Sequence, residues 1–261
     1  MPPSGNRDGY RPVKSSERTL EILEVLAASS DRRTLGELAR MLDVPKSSLH
    51  AILRTMEARG WIESGAPGLR FGLGLRALHV GTAYVDSDDI VNLAQKALDW
   101  LVGELDETVH LGRLDGTDIV YLAKRESSQQ LRMFSAIGRR LPAYTTALGK
   151  ALLAELSEER LHEHLPDTLT ALTPRTLTTI DALKRDLART RKRGYAIDNQ
   201  ENSEGVACVA VALPATQPPV DAISCSVPVT RLGNQRRAEI TEQMLVARDR
   251  ITLHLRHTAA Q

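Results

Sequence analysis

The sequence predicts a mixed α/β (α+β) protein built in two parts. Apolar residues recur at helical spacing in three short segments before residue 60, and a turn-rich hairpin follows them. Beyond residue 100, short runs of strand-forming residues alternate with amphipathic helical segments. Strands interleaved with helices favour a helix-covered sheet in the second part.

Length and composition exclude several classes of protein. The chain has 261 residues, 42% hydrophobic and 26% charged, as in globular proteins rather than disordered or fibrous ones. Its apolar runs are shorter than the roughly 20 residues of a membrane-spanning helix, and its polar first residues lack the apolar core of a secretory signal. Two cysteines are too few for a disulfide scaffold. We therefore expect a cytoplasmic protein that does not contact the membrane.

The first part of the chain has recognisable helix boundaries. Residues 1–13 are polar and contain proline and glycine, which predicts a disordered tail. A helix is predicted over residues 16–28, with Ser16 as its N-cap. Thr34 and Glu37 form a T-x-x-E capping box at the start of a short second helix. Pro45 suits the first position of a third helix, and Gly60 suits its C-terminal end.

The order of these elements is that of a winged helix-turn-helix, here residues 14–74. Residues 61–63 and 69–71 are predicted to form a hairpin. In such modules the helix after the turn enters the major groove of DNA. With Leu49, Ile52, Leu53 and Met56 turned inward, the opposite face of helix three is small and basic. The predicted DNA contacts are Lys46, Ser47, Ser48, His50, Ala51 and Arg54, with Arg70 on the hairpin.

The net charge of +1 conceals two unlike parts. Residues 1–80 contain 12 Lys and Arg against 9 Asp and Glu, whereas residues 81–261 contain 22 against 24. DNA-binding domains are usually basic, and this excess is mild. We therefore expect DNA affinity to depend on two copies of the chain contacting one duplex.

A further helix is predicted over residues 75–85, and it carries an apolar stripe that needs a partner helix. Helices are predicted over residues 88–104, 147–155, 157–164, 180–193 and 235–257. Strands are predicted over residues 108–114, 119–123, 131–134, 194–197, 206–213 and 222–229.

Several segments also resemble a known family. Residues 138–154, GRRLPAYTTALGKALLA, resemble the signature segment of the IclR family of bacterial transcriptional regulators. Residues 193–202 with 205–210, and residues 222–228, are similar to two further family segments. Residues 16–20 and 71–74 are similar to the family's DNA-binding part. The likeness runs in the family's order from about residue 14 to residue 255.

The resemblance implies both architecture and function. Family members have a winged helix-turn-helix and an α/β effector-binding domain that resembles GAF and PAS sensor folds, here residues 88–257. A linker helix joins the two, here residues 75–87. They act as homodimers or homotetramers on double-stranded DNA. The resemblance thus implies a transcriptional regulator, more often a repressor than an activator. It would bind a palindromic operator and respond to a small organic-acid or aromatic metabolite.

The resemblance also implies where the effector binds. In the family the pocket lies beside one face of the sheet, and the matching positions are Thr145, Thr146, Ala147, Leu148, Asp198, Cys208, Ser224 and Ser226. Free N–H groups at a helix start near Ala147, together with nearby hydroxyls, would attract a carboxylate. From the residues alone, Asp198 equally suits a turn cap and Cys208 a packed apolar position. Neither a cofactor nor a metal is expected.

An enzyme is the main alternative, and its motifs are incomplete. Gly149 and Lys150 partly match a phosphate-binding loop, but Tyr144 and Ala151 stand where that loop requires Gly and Ser or Thr. The sequence contains none of the G-x-S-x-G, H-E-x-x-H and G-x-G-x-x-G motifs. We therefore expect no enzyme. The alternative left open is a small-molecule sensor or a thiol-dependent enzyme on a GAF-like domain, without operator binding.

Overall fold

In the computed structural model, which describes residues 12–65, 70–133 and 135–258, the chain divides into two compact units, with the boundary between Ser87 and Asp88. The elements of the first unit are α1 (Lys14–Ala28), β1 (Arg33–Thr34), α2 (Leu35–Met41), α3 (Lys46–Ala58), β2 (Ile62–Gly65), β3 (Arg70–Leu73) and α4 (Leu75–Asp86).

The first unit is a winged helix-turn-helix with the predicted order of helices and hairpin. The capping box is present: the Thr34 hydroxyl accepts from the Glu37 N–H at 3.2 Å, and the Glu37 carboxylate accepts from the Thr34 N–H at 2.7 Å. The predicted Ser16 cap is wrong. Helix α1 begins two residues earlier, because the Val13 carbonyl already accepts from the Ser16 N–H at 2.9 Å. Of the predicted tail, residues 1–11 lie outside the described part of the chain.

A third strand, which the sequence does not predict, completes the sheet of the first unit. Strand β1 pairs with β3 through Arg33 and Phe71, which gives the strand order β1-β3-β2. Two residues are too few to show the alternation of a strand. Strand β1 therefore ties the start of α2 to the hairpin, beside a core that includes Ile22, Leu38 and Leu49.

The second unit contains one sheet and five helices among the described residues. The elements are α5 (Asp89–Leu105), β4 (Thr108–Asp115), β5 (Asp118–Arg125), β6 (Arg140–Pro142), α6 (Ala147–Leu153), α7 (Glu158–Glu163), α8 (Ile180–Arg193), β7 (Ala196–Asn199), β8 (Val206–Leu213), β9 (Asp221–Pro228) and α9 (Asn234–Thr258). The sheet is antiparallel, with the strand order β6-β5-β4-β9-β8-β7.

Alternation along the strands gives the sheet two different faces. One face carries small residues, including Gly112, Ala196, Ala210 and Ala222, and helix α6 packs closely against it. The opposite positions of the same strands are larger, and the long helices α5 and α9 pack along the sheet and against each other. The fold is therefore a sheet between two helical layers.

The predicted strand over residues 131–134 is wrong in its described part, because residues 131–133 form no strand and Phe134 lies outside the described residues. The edge of the sheet is instead β6, where Leu141 pairs with Ile119. The described part of this apolar run lies in a loop, where the side chain of Leu131 is 61% exposed. The other predicted helices and strands occur, with ends shifted by at most a few residues.

One lysine in the second unit is completely buried and joins three elements. Lys150 on α6 is 0% exposed, and its Nζ lies 2.7 and 2.8 Å from the two carboxylate oxygens of Glu201, in the turn after β7. The same Nζ lies 2.9 Å from Oδ2 of Asp186 on α8. An ammonium group buried this deeply needs such partners, because its desolvation is costly.

Helix α6 also approaches its preceding turn so closely that it needs a glycine. A Cβ on Gly149 would lie 2.0 Å from the carbonyl oxygen of Ala143, in the single 3₁₀ turn Ala143–Thr145. We therefore predict that Gly149→Ala lowers the free energy of unfolding by roughly 3 kcal/mol. Gly103→Ala is the matched control, because a Cβ there meets nothing within 4 Å on an exposed helix face, and it should stabilise by up to about 1 kcal/mol. Urea unfolding of both variants measures this, and equal stability would contradict the close approach.

The buried ion pairs generate a second prediction. Lys150→Met leaves the carboxylates of Glu201 and Asp186 without their shared cation, so we expect a loss of about 3–5 kcal/mol in the free energy of unfolding. Lys184→Met is the control on α8. It removes the ion pair with Glu158, whose side chain is 81% exposed, and should cost less than about 1 kcal/mol. Similar unfolding midpoints in urea for the two variants would show that burial does not make the ion pairs of Lys150 more important for stability than the exposed pair of Lys184.

Candidate functional site

In the first unit, the outer face of α3 is an exposed surface without acidic groups along most of its length. All seven residues predicted to contact DNA are exposed: Lys46, Ser47, Ser48, His50, Ala51, Arg54 and Arg70. The opposite face is buried through Leu49, Leu53 and Met56, while Ile52 is only half-buried. The first acidic residue of α3 is Glu57, near the C-terminal end, where its carboxylate accepts from the Ser64 hydroxyl.

A tight turn sets the direction of α3 relative to α2. Asp43 has a φ of 51°, in the left-handed region that Asp tolerates better than most residues. The turn is closed by the Val44 N–H, which donates to the Ala39 carbonyl at 3.0 Å. Val44 is buried in the core of the unit, so the chain enters α3 at a fixed point.

The hairpin presents a further exposed cation in the first unit. The Arg70 guanidinium donates to the carbonyl of Arg32 at 3.1 Å, while the side chain of Arg32 forms an ion pair with Glu63. The positive charge of Arg32 is therefore neutralised by the carboxylate of Glu63. The tip of the hairpin, residues 66–69, lies outside the described residues.

In the second unit, a small cavity lies between the start of α6 and the sheet. Its volume is about 10 Å³, roughly the room for one water molecule. It is lined by Tyr121, Met133, Thr146, Ala147, Leu148, Asp198, Asn202, Ser203, Val206, Cys208 and Ser224. Six of the eight residues predicted to bind an effector are in this wall, and the exceptions are Thr145 and Ser226.

Strand register explains why residues far apart in sequence share this wall. Asp198 lies opposite Cys208, and Cys208 lies opposite Ser226, so these side chains form one row across three strands. In the next row, Ser224 lies opposite His110. Side chains two residues apart on a strand lie on the same face of the sheet, so both rows are on the face that α6 covers. The polar residues thus form a buried band at one end of a small-residue face.

Thr145 and Ser226 lie behind the wall and contact residues within it. The Thr145 hydroxyl is 3.2 Å from Oδ1 of Asn202, and the Ser226 hydroxyl is 3.3 Å from the sulfur of Cys208. Both hydroxyls are therefore placed to orient a lining side chain.

Asp198 is at once a turn cap and a wall residue. Its Oδ1 accepts from the Glu201 N–H at 2.6 Å, within a turn where Gln200 has a φ of 65°. Burial, with a smaller contribution from the nearby Glu201 carboxylate, raises the pKa of Asp198 to about 7, against the hydrogen bond from the Glu201 N–H. Near neutral pH this carboxyl exists in both protonation states.

The start of α6 is less open than the sequence suggests. Thr146 is its N-cap, and the Thr146 hydroxyl accepts from the Gly149 N–H at 3.0 Å. The helix has only seven residues. One of the N–H groups expected to attract a carboxylate is therefore already bonded within the chain.

A buried histidine anchors the segment that closes the cavity beside Met133. Nε2 of His110 is 2.7 Å from the Ser135 hydroxyl, and the ring stacks on Tyr121 with centroids 4.5 Å apart. Burial lowers the pKa of His110 to about 4, helped by the charge of Lys124. Lys124 also donates to the Ser135 carbonyl at 2.6 Å. Ser135 is thus held through both its side chain and its backbone.

Five wall residues were not predicted from the sequence: Tyr121, Met133, Asn202, Ser203 and Val206. Asn202 lies in one of the segments that resemble the family, and this position could have identified it as a wall residue. The sequence did not indicate Met133, because we assigned it to a strand that the structure does not contain.

Enzyme and metal chemistry gain no support at these sites. Burial raises the pKa of the Cys208 thiol well above its ordinary value, and Asp198 adds to this effect. That raised pKa disfavours the thiolate a nucleophile needs. In the described ranges, no group of three or more His, Cys, Asp or Glu side chains is arranged to hold a metal ion. Nor do these ranges include a helix that is long and apolar enough to cross a membrane.

Comparison with known proteins matches both units. Residues 15–65 match the model of the IclR helix-turn-helix domain, and residues 82–253 match that of the bacterial transcriptional regulator IclR C-terminal domain. The HTH-type transcriptional regulator XynR of Escherichia coli K12 is 37% identical over 89% of this chain and 93% of its own length. The transcriptional repressor IclR of the same organism is 34% identical over 92% of this chain and 89% of its own.

A solved structure shows the same fold. The crystal structure of the Thermotoga maritima IclR covers 94% of this chain and 99% of its own, with a TM-score of 0.72 and 28% identity. The matching domains and relatives are transcriptional regulators and not enzymes. The chain therefore belongs to the IclR family of DNA-binding transcriptional regulators.

Proposed function

We propose that this regulator is a repressor that binds a palindromic operator as a homodimer or homotetramer. Residues 14–74 would bind DNA, residues 75–87 would link, and residues 88–257 would bind the effector and the other subunits. The exposed basic face of α3 is the observation that carries the DNA assignment, since a groove-reading helix needs small and positively charged side chains there. The similarity to the E. coli repressor IclR favours repression over activation.

The linker helix supports assembly from identical subunits. On α4, the side chains of Leu75 and Leu78, which lie three residues apart on one face of the helix, are 80% and 63% exposed. Neighbouring apolar side chains on one helix face are costly to leave in water, and a second α4 would cover them. Two-fold pairing would also place two mildly basic first units on one duplex, which suits a palindromic site. A regulator of this kind would act in the cytoplasm.

The effector proposed for the second unit is a small organic acid bound in the cavity beside α6. The wall offers the hydroxyls of Thr146 and Ser224 and the amide of Asn202 as polar partners, and the side chains of Leu148 and Met133 as apolar ones. The present volume admits little more than a water molecule. Binding must therefore move Leu148 or Met133. This rearrangement is the step that would shift the population of DNA-binding arrangements.

The DNA assignment predicts a graded effect of substitution along α3. Arg54→Ala and Lys46→Ala should each weaken operator binding roughly tenfold or more, because each removes a donor at the groove. Arg59→Ala is the matched control, since Arg59 is an exposed cation at the C-terminal end of the same helix. The operator is first selected from random duplexes by the wild-type protein, and gel shifts then give the affinities. Unchanged affinity in both N-terminal variants would contradict the groove assignment.

The effector assignment predicts stabilisation by small acids. Acetate, pyruvate and benzoate are compared in a thermal-shift experiment with their neutral amides. An acid at 100 times its Kd should add about 2.7 kcal/mol to the free energy of unfolding. Asp198→Ala and Ser224→Ala should change the acid's affinity measured by calorimetry, whereas Ser128→Ala, an exposed serine of the same unit, should not. Unaltered affinity in both wall variants would reject this cavity as the site.

A further inference from the structure

The charge of the cavity wall does not suit an ionised acid. Among the residues that the structure describes, those lining the wall include no Lys, Arg or His, and the one carboxyl group among them is that of Asp198. A carboxylate ligand would therefore meet another carboxylate in a place where water does not screen the repulsion.

The buried cation at this turn, Lys150, is not available to a bound acid. It is already shared by the carboxylates of Glu201 and Asp186, at 2.7 and 2.9 Å. Asp198 itself is bonded to the backbone of the same turn, through the Glu201 N–H at 2.6 Å. An incoming carboxylate therefore adds a negative charge beside three carboxyl groups and the ammonium of Lys150, since the guanidinium paired with Asp186, that of Arg189, is 69% exposed.

The other groups that face Asp198 do not supply a cation or a mobile proton at neutral pH. Burial raises the pKa values of the Cys208 thiol on β8 and the Tyr121 phenol on β5, so both keep their protons between pH 6 and 8. Asp186 lies beyond Lys150: burial acts to raise its pKa, but Lys150, Arg193 and Arg189 lower it overall, so it stays ionised. The Thr146 cap occupies part of the start of α6.

We propose that Asp198 selects the effector by sharing a proton with its carboxylate. The ligand arrives as an anion, Asp198 carries the proton, and the O–H of Asp198 donates to a ligand oxygen. When Asp198 is ionised beforehand, that proton comes from solvent, so the complex gains one proton overall and no other bond changes. The cavity accordingly takes monocarboxylic acids, because a second carboxylate would find no second proton. This inference rests on the proposed effector site.

The proton requirement predicts how affinity depends on pH. Asp198 is mostly protonated at pH 6 and mostly ionised at pH 8, since burial holds its pKa at about 7. The affinity of wild-type protein for a monocarboxylate should thus be about tenfold lower at pH 8 than at pH 6. Neutral amides of the same acids should bind without proton uptake.

Calorimetry with pyruvate and benzoate tests this at both pH values, in buffers with different ionisation enthalpies. We expect uptake of about one proton at pH 8 and close to none at pH 6. Asp198→Asn keeps a permanent N–H donor in the same place, so its affinity should be the same at both pH values, without proton uptake. Ser224→Ala is the matched control, which should weaken binding at both pH values and retain the pH dependence.

Any one of three binding results would overturn the proposal. They are equal affinity of wild-type protein for the acids at pH 6 and 8, binding at pH 8 without proton uptake, and a pH dependence that persists in Asp198→Asn. Failure of every acid to bind at pH 6 would overturn the proposed effector class as well, which distinguishes the two failures. As a measurement without substitution, the ¹³C signal of the Asp198 carboxyl should titrate near pH 7 in the free chain, and a titration below pH 5 would also contradict the proposal.

Discussion

The effector-binding unit depends on one buried ammonium group. Lys150 connects α6, α8 and the turn after β7 at a single point, and its partners are themselves buried. Glu201 in turn accepts from the Asn199 N–H, while the Thr176 hydroxyl donates to the Glu201 carbonyl at 2.6 Å. The turn that carries Asp198 and Asn202 is therefore fixed from several sides. The shape of the cavity wall therefore depends on the ion pairs of Lys150 as well as on apolar packing.

Most of the fold could be predicted from the sequence, because each amphipathic segment indicates its own secondary structure. Where local periodicity is lacking, prediction failed. Strand β1 has two residues, β6 has three, and both exist only because β3 and β5 offer paired edges. The error at residues 131–133 has the opposite cause. We interpreted an apolar run as a strand, but its described residues lie in a loop, beside the hydrogen bond between Ser135 and His110.

The candidate sites were predictable to different degrees. The exposed face of α3 follows from helical periodicity, so Lys46 and Arg54 could be identified from spacing alone. The cavity could not, because cross-strand register places Asp198 opposite Cys208 and puts Ser224 in the neighbouring row, and register is a property of the folded sheet. The family resemblance supplied those three residues. It did not reveal that Lys150, inside the signature segment, is paired with Glu201 and Asp186.

The way β1 closes the small sheet limits what an effector can change. The chain segment before α2 and the hairpin after α3 belong to the same sheet, and Val44 fixes the turn between the two helices. Helix α3, which we propose to face DNA, is thus held at both ends within its own unit. A unit held in this way would recognise the same half-site in every state, so its DNA specificity and its ligand specificity would be free to diverge independently. If relatives exchanged their second units, the same target genes would respond to a different effector.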